Sequence, residues 1–276
     1  MNKNKQMSVT MIHIILILGS AIMIIPFVWM FLTSFKTVAE ATQLKPFSIL
    51  PSAMHWENYS NIIDQMSVGQ LYLNTALMIV FRIVCAVLFS AMAAYAFARL
   101  NFPGKNFLFA IVLFQMMVPT QIFIVPQYLM VDALGMRNTI FALVFPGFVS
   151  AFGTFLLRQF FAGLPKELEE AARMDGYNIG QTFLYVMFPL VKAGLVALAI
   201  FTALFGFKDL MWPMIVNTKA NMSTISAALS KIQSSYAVNY PQLMAAAVIA
   251  VTPMLVLYAV FQRQFISGIA TSGGKL

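Results

Sequence analysis

The chain has 276 residues, of which 61% are hydrophobic and 9% charged, with a mean hydropathy of +0.83. A soluble globular chain is nearer half apolar and a quarter charged, so the composition excludes an ordinary soluble domain and points to a polytopic membrane protein. The formal net charge of +8 reads as topological: the basic residues sit mostly at the ends of apolar runs, and no basic face with interleaved aromatics offers itself to nucleic acid.

Met1–Thr10 carries Lys3 and Lys5 ahead of an apolar run. That run, Met11–Thr33, is too long for a signal peptide and no small-x-small pattern closes it, so an uncleaved first span is expected. A spanning helix needs about 20 largely apolar residues. Six runs qualify, at roughly 11–33, 72–98, 107–130, 139–161, 182–207 and 242–262. An even number puts both termini on one side of the membrane. One set of alternate connections holds Lys3, Lys5, Arg99, Lys105, Arg158, Lys166, Arg173, Arg263 and Lys275; the other holds Lys36, Lys45, Arg137, Lys208, Lys219 and Lys231. The richer first set marks the cytoplasmic face, which places both termini there. The expected organisation is a tail over 1–10, a first span over 11–33, an external connection over 34–70, a membrane core over 71–262 and a tail over 263–276.

Between the first two spans, Pro46, Pro51 and His55-Trp56 suggest an irregular surface loop with a short helix. The second span carries small residues at Ala86, Ser90, Ala94 and Ala98, a stripe for close helix packing against this chain or against a partner. Arg82 within it and Lys192 in the fifth span are costly at membrane depth, and snorkelling to an interface is the reading favoured for both. Pro119 and Pro126 interrupt the third span; Pro146-Gly147 and Gly153 loosen the fourth. Gln115, Gln121 and Gln127 add polar groups to the third span, either lining a substrate pathway or making helix–helix hydrogen bonds. The segment Asp209–Pro241 is long for a turn; its stretch Thr224–Ser234 is either a surface offered to a protein outside the membrane or a cap over the bundle.

Leu164–Pro189 is the one long stretch that is both charged and helix-prone. Pro165 suits a first helical position, where its missing N–H would be unpaired anyway. Glu167, Glu169 and Glu170 then oppose the positive end of the helix dipole, Glu169 can pair with Arg173 four residues on, and Gly176 suits a left-handed stop. Leu168, Ala171, Ala172 and Asp175 share a face on which paired alanines would let another protein seat close to the backbone. The expected element is a short cytoplasmic helix over 165–176, either docking another protein or simply bracing the bundle.

A resemblance separates those two readings. Glu170-Ala171-Ala172, then Asp175-Gly176, then Phe188-Pro189 is similar to the EAA–DG–LP signature of inner-membrane permeases of ATP-binding-cassette importers. The stretches 150–161, 93–99 and 209–213 resemble the carbohydrate-uptake branch, the relatives of the maltose importer's smaller permease. Tyr177, Val186 and Phe188 depart from the usual alanine, isoleucine and leucine.

The resemblance implies an all-α membrane protein with six transmembrane helices, the type I importer permease fold, in the cytoplasmic membrane of a prokaryote. It implies coupling to a separate ATPase dimer through Glu169, Glu170, Ala171, Ala172, Arg173, Asp175, Gly176 and Pro189. The implied partners are a second homologous permease, an external sugar-binding protein and a carbohydrate substrate. ATP and magnesium would be held by the ATPase, leaving this chain with no cofactor and no catalytic residue. The tail accords with that: the first glycine of a phosphate loop falls on Ile269, and Leu276 stands where a hydroxyl is needed. Cys85, the sole cysteine, forms no intrachain disulfide, and His13 and His55 are too far apart for a metal site. A stand-alone carrier is the alternative, but it would want carboxylates inside the spans, and Glu40, Glu57, Asp64, Asp132 and Asp209 fall in connections or at span ends. An enzyme would want an assembled cluster of catalytic groups that the sequence does not offer.

Overall fold

The computed structural model describes residues 3–43, 48–235 and 239–273, with side chains for all of these except 3–8, 234–235 and 263–273. Lys3, Lys5, Lys45, Arg263 and Lys275 of the charge tally, and the tail around Ile269 and Leu276, therefore lie outside the described side chains. The regular structure among the described residues is all helical: α1 (Lys3–Thr33), α2 (Val38–Thr42), α3 (Glu57–Met66), α4 (Val68–Arg99), α5 (Lys105–Met117), α6 (Ile124–Ala133), α7 (Ile140–Val144), α8 (Ala151–Ala162), α9 (Glu167–Met174), α10 (Ile179–Gln181), α11 (Phe188–Leu190), α12 (Lys192–Lys208), α13 (Met211–Val216), α14 (Ile225–Ser235) and α15 (Tyr240–Gly273). Two compact units divide the chain, one formed by 1–68 with 228–254 and the other by 69–227 with 255–276.

Three helices are long and apolar enough to cross a membrane unbroken, over Val9–Thr33, Val68–Arg99 and Tyr240–Gln262. The other three expected spans are bent pairs, by 102° at Lys105–Met117 with Thr120–Ala133, by 49° at Ile140–Gly147 with Ala151–Ala162, and by 77° at Ile179–Leu190 with Lys192–Lys208. The interruptions expected in the third and fourth spans are present, and the fifth run, 182–207, for which no break is expected from sequence, is broken as well. The first break follows from proline sterics: Val118, preceding Pro119, is extended at φ −87° and ψ 128°. Pro126 breaks nothing, because it lies in the first turn of α6, where a missing N–H costs little. In the fourth span Pro146 sits in a 3-10 turn and Ser150 restarts the helix, its Oγ accepting from the Gly153 N–H at 2.9 Å.

In the first unit, α1 presents apolar side chains all round, as a lipid-embedded helix does. The connection behind it is more ordered than an irregular surface loop. Phe35 packs edge-on to Trp56 and against Tyr59 at 4.8 and 5.1 Å, and Asn58 donates to the carbonyls of Ser34 and Lys36 at 2.9 and 3.0 Å. Burial raises the Tyr59 phenol pKa, with the Ser34 hydroxyl bond opposing it. Lys36, counted from sequence as an external loop charge, is 2% exposed; its Nζ donates to the Ser48 carbonyl at 2.6 Å and lies over the Trp29 ring.

The second unit is organised on α4. Its small stripe faces inward, with Ser90 and Ala94 fully buried, and the helix meets α8 where a Cβ on Gly153 would lie 2.7 Å from Ser90 Oγ. The stripe is therefore an internal contact. Arg82 does not snorkel: it is 7% exposed, its Nε and Nη2 donate to the Leu143 carbonyl at 2.9 and 2.5 Å, and its Nη1 lies 2.8 Å from Asp209 Oδ2. Lys192 is exposed at the start of α12. The segment after α12 is stitched down by Trp212 Nε1 to the Ala142 carbonyl and by Asn74 Nδ2 to the carbonyls of Asn221 and Ser223.

Candidate functional site

The charged stretch forms α9 as expected in kind, but starting two residues beyond Pro165, with Lys166 as its N-cap. Glu167, Glu169 and Glu170 occupy the first turn, and no side chain caps it. The C-terminus closes in a Schellman arrangement: the Gly176 N–H donates to the Arg173 carbonyl and the Tyr177 N–H to the Ala172 carbonyl, both at 3.0 Å. Gly176 sits at φ +83°, the left-handed conformation this stop requires. Asn178 and Gln181 then cap one another and start α10. Thr182–Met187 forms a π-turn that packs beside α9 and leads to Pro189, which is exposed.

Eight residues cannot hold a helix in isolation, so packing must hold α9. Ala172 and Glu169 are buried, at 4% and 8% exposure, and Leu168 is half-buried. Glu167, Glu170, Ala171 and Met174, spaced three and four residues apart, form the outward face, and Met174 is 88% exposed. This divides the face expected from sequence. Ala171 and Asp175 point outward, whereas Leu168 and Ala172 are turned into the protein.

Glu169 also changes partner. Its carboxylate lies 3.8 Å from Arg99 Nε at the end of α4, while Arg173 is exposed. The inward turn of Glu169 explains the correction, since Arg99 is already buried on that side. Arg99 Nη2 donates to the Leu164 carbonyl as well, so one guanidinium holds both the approach to α9 and α9 itself. Above it Tyr95 packs on Phe161 and Phe183 at 5.6 and 5.2 Å, in the cluster that carries Leu157, Met187 and Val191. From sequence Arg99 is a cytoplasmic charge and the last residue of the 93–99 stretch, with no partner assigned; its spacing of four from Tyr95 is the one signal that it shares that residue's inward face.

The glutamines of the third span are not brought together on one helix. Gln115 ends α5, Gln121 lies in the 3-10 turn Thr120–Phe123 and Gln127 lies in α6, beyond the 102° bend; the first two are exposed and the third is half-buried.

Residues 86–271, which include α9 and both its neighbours, match the family described as binding-protein-dependent transport system inner membrane component. The chain belongs to this family. It is 34% identical over 265 residues to the diacetylchitobiose uptake system permease protein NgcG of Streptomyces coelicolor, covering 95% of this chain and 87% of that one. It is 31% identical over 258 residues to the arabinooligosaccharides transport system permease protein AraQ of Bacillus subtilis, covering 93% and 92%. The sn-glycerol-3-phosphate transport system permease protein UgpE of Yersinia pestis is 31% identical over 268 residues, covering 94% and 95%. A crystal structure of a bacterial ABC transporter involved in the import of the acidic polysaccharide alginate matches the fold, with a TM-score of 0.80 at 22% identity over 96% of this chain and 99% of that one. Membership in a binding-protein-dependent inner-membrane family makes this chain a multi-pass transport component and not an enzyme, and sets aside the stand-alone carrier.

Proposed function

We propose that this inner-membrane component is a permease subunit of an ATP-driven sugar importer, lining half of a pathway shared with a second, homologous permease. The observation that carries the coupling part of the proposal is the outward face of α9. Glu167, Glu170 and Ala171 surround a methionine that is 88% exposed, on a helix braced from behind. Met174 is followed by Tyr177 and Ile179, also exposed, and Tyr177 meets exposed Tyr185 at 6.2 Å; a group of bare apolar side chains beside a charged helix fits a surface that another protein covers. The occupant is a separate cytoplasmic ATPase, which binds ATP and magnesium, and its closure moves α9 and with it α4 and the π-turn. In this reading six spans cross the membrane, the three bent pairs counting as one span each, and both termini face the cytoplasm with α9. The organisation over 1–10, 11–33, 34–70, 71–262 and 263–276 stands as part of the proposal. An external binding protein delivers the substrate. Relatives named for diacetylchitobiose and for arabinooligosaccharides support a carbohydrate, and the one named for glycerol 3-phosphate widens the class to a polyol phosphate.

Co-purification tests the proposal. The tagged chain, expressed with its neighbouring transport subunits, is expected to bring down an ATPase, and Met174→Glu is expected to release it without changing the amount of folded chain in the membrane. Retention of the ATPase by Met174→Glu would show that the outward face of α9 does not dock it.

A further inference from the structure

We infer that Glu169 and Arg99 are positioning residues which transmit movement between α9 and α4, and that the two neighbouring glutamates of α9 have separate roles, Glu170 facing the partner and Glu169 facing the span. The inference rests on the docking reading above and goes beyond it in naming the joint.

Four observations meet at this pair. Glu169 and Arg99 have side chains that are 11% and 6% exposed, so water screens neither charge well. Glu169 Oε1 and Arg99 Nε are both shut away from solvent without a hydrogen-bond partner, and they stand 3.8 Å apart. A charged N–H···O bond closes at about 2.7–2.9 Å, so the pair stops about 1 Å short of full contact. Leaving two charged groups buried and incompletely bonded is costly, and a small approach of α9 towards α4 would relieve that cost. Arg99 is also fastened to the carbonyl of Leu164, where the chain turns from α8 towards α9, so its guanidinium cannot move without that linker. Tyr95, one turn earlier on α4, carries the same contact onto Phe183 of the π-turn behind α9. A partner pressing on Glu170 and Met174 therefore acts, through a helix about two turns long, on a charge pair with slack in it. The rigid 32-residue α4 lies on the other side. Glu169 and Arg99 touch no substrate; they set where α4 stands when α9 is displaced.

The test uses the whole importer in proteoliposomes, with its ATPase and binding protein. Arg99→Met with Glu169→Gln removes both charges and strands neither. The expected result is ATPase retention as in wild type, with substrate moved per ATP hydrolysed falling about tenfold, in the usual range of coupling between sites. Glu169→Asp, which keeps the charge and shortens its reach, is expected to give a loss of the same kind with folding intact. Wild-type transport per ATP in either variant would overturn the inference, and so would release of the ATPase by Glu169→Asp, which would make Glu169 part of the docking face. The docking reading fails separately, by Met174→Glu retaining the ATPase.

Discussion

Arg82 and Asp209 form an ion pair of 2.8 Å between the middle of α4 and the residue that caps α12, with the same guanidinium donating twice to the Leu143 carbonyl. Leu143 lies in the last turn before the Pro146 break, where helix carbonyls lose their usual N–H partners. The arginine replaces those donors, and Gly147 gives its stem room, since a Cβ there would lie 2.6 Å from Arg82 Cγ. The broken helix and the buried charge are one solution, each making the other tolerable.

The pair should respond asymmetrically to mutation. Asp209 retains 22% side-chain exposure and Arg82 only 8%, so removing the aspartate strands the deeper charge. Asp209→Ala is expected to cost about 3–5 kcal/mol, the range for breaking a buried pair. Arg82→Met leaves a carbonyl without donors and an aspartate that can reach water, for about 1–3 kcal/mol. Thermal unfolding in detergent measures both, and an equal or inverted order would show that the arginine's burial does not govern the site.

Gly176→Val should fray the end of α9, because a β-branched residue at φ +83° is disfavoured by about 1–2 kcal/mol. Nothing lies within 4 Å of a Cβ there, so the loss is one of backbone conformation and not of packing. Gly176→Asn, better suited to the left-handed region, is expected to keep most ATPase binding where valine loses it. Glu170→Lys is expected to abolish that binding from the outward face; unchanged co-purification would count against the face.

Gly153→Ala should loosen α8 from α4, since the new methyl group meets Ser90 Oγ at 2.7 Å and Leu198 at 2.9 Å. Overpacking of this kind costs about 1–3 kcal/mol. Gly163→Ala is the comparison, with its nearest atoms at 3.5 Å or more, and a thermal midpoint for Gly153→Ala as high as that of Gly163→Ala would contradict the contact.

Glu40 gives a pH dependence outside the spans. Hydrogen bonds from the Ser52 side chain and then the Thr37 backbone hold its pKa down to about 2, from an ordinary 4.5. A depressed carboxyl stabilises the folded state fully above the unfolded pKa and loses that contribution as pH falls through the folded one. The contacts of Glu40 with Thr37 and Ser52 are therefore expected to hold at pH 5 and above and to weaken between about pH 4.5 and 2. Hydrogen exchange at the Thr37 and Ser52 amides reads this directly. Glu40→Gln should show the faster exchange already at neutral pH, and slow exchange in that variant would exclude the carboxylate as the cause.

Deleting 224–234 illustrates what sequence could not settle. Thr224 and Ile225 are at most 1% exposed, and the Ile225 N–H donates to Thr75 Oγ1 at 3.0 Å. The start of that segment is part of the packing, so its deletion is expected to lower the amount of folded protein before any binding partner is tested. Normal expression of the deletion would restore it as a presented surface.

The sequence by itself determined the membrane class, the number of apolar runs, the site of α9 and its stop at Gly176. Each of these depends on local chemistry: run length against membrane thickness, prolines that cannot donate, and a glycine where the backbone turns left-handed. It could mark Glu169 and Arg82 as charged residues needing partners, but not say which. That choice was decided only by tertiary structure, which set α4 behind α9 and beside the broken α7. Prolines likewise mark the third and fourth runs as interrupted, but hydropathy carries no direction, so the bends of 102° and 49°, and the 77° bend in the fifth run, come from how the pieces pack. Of two adjacent glutamates, the sequence could not say which faces the membrane bundle. The fold turned Glu169 towards Arg99 and left Glu170 outside, because only one side of an eight-residue helix can be braced.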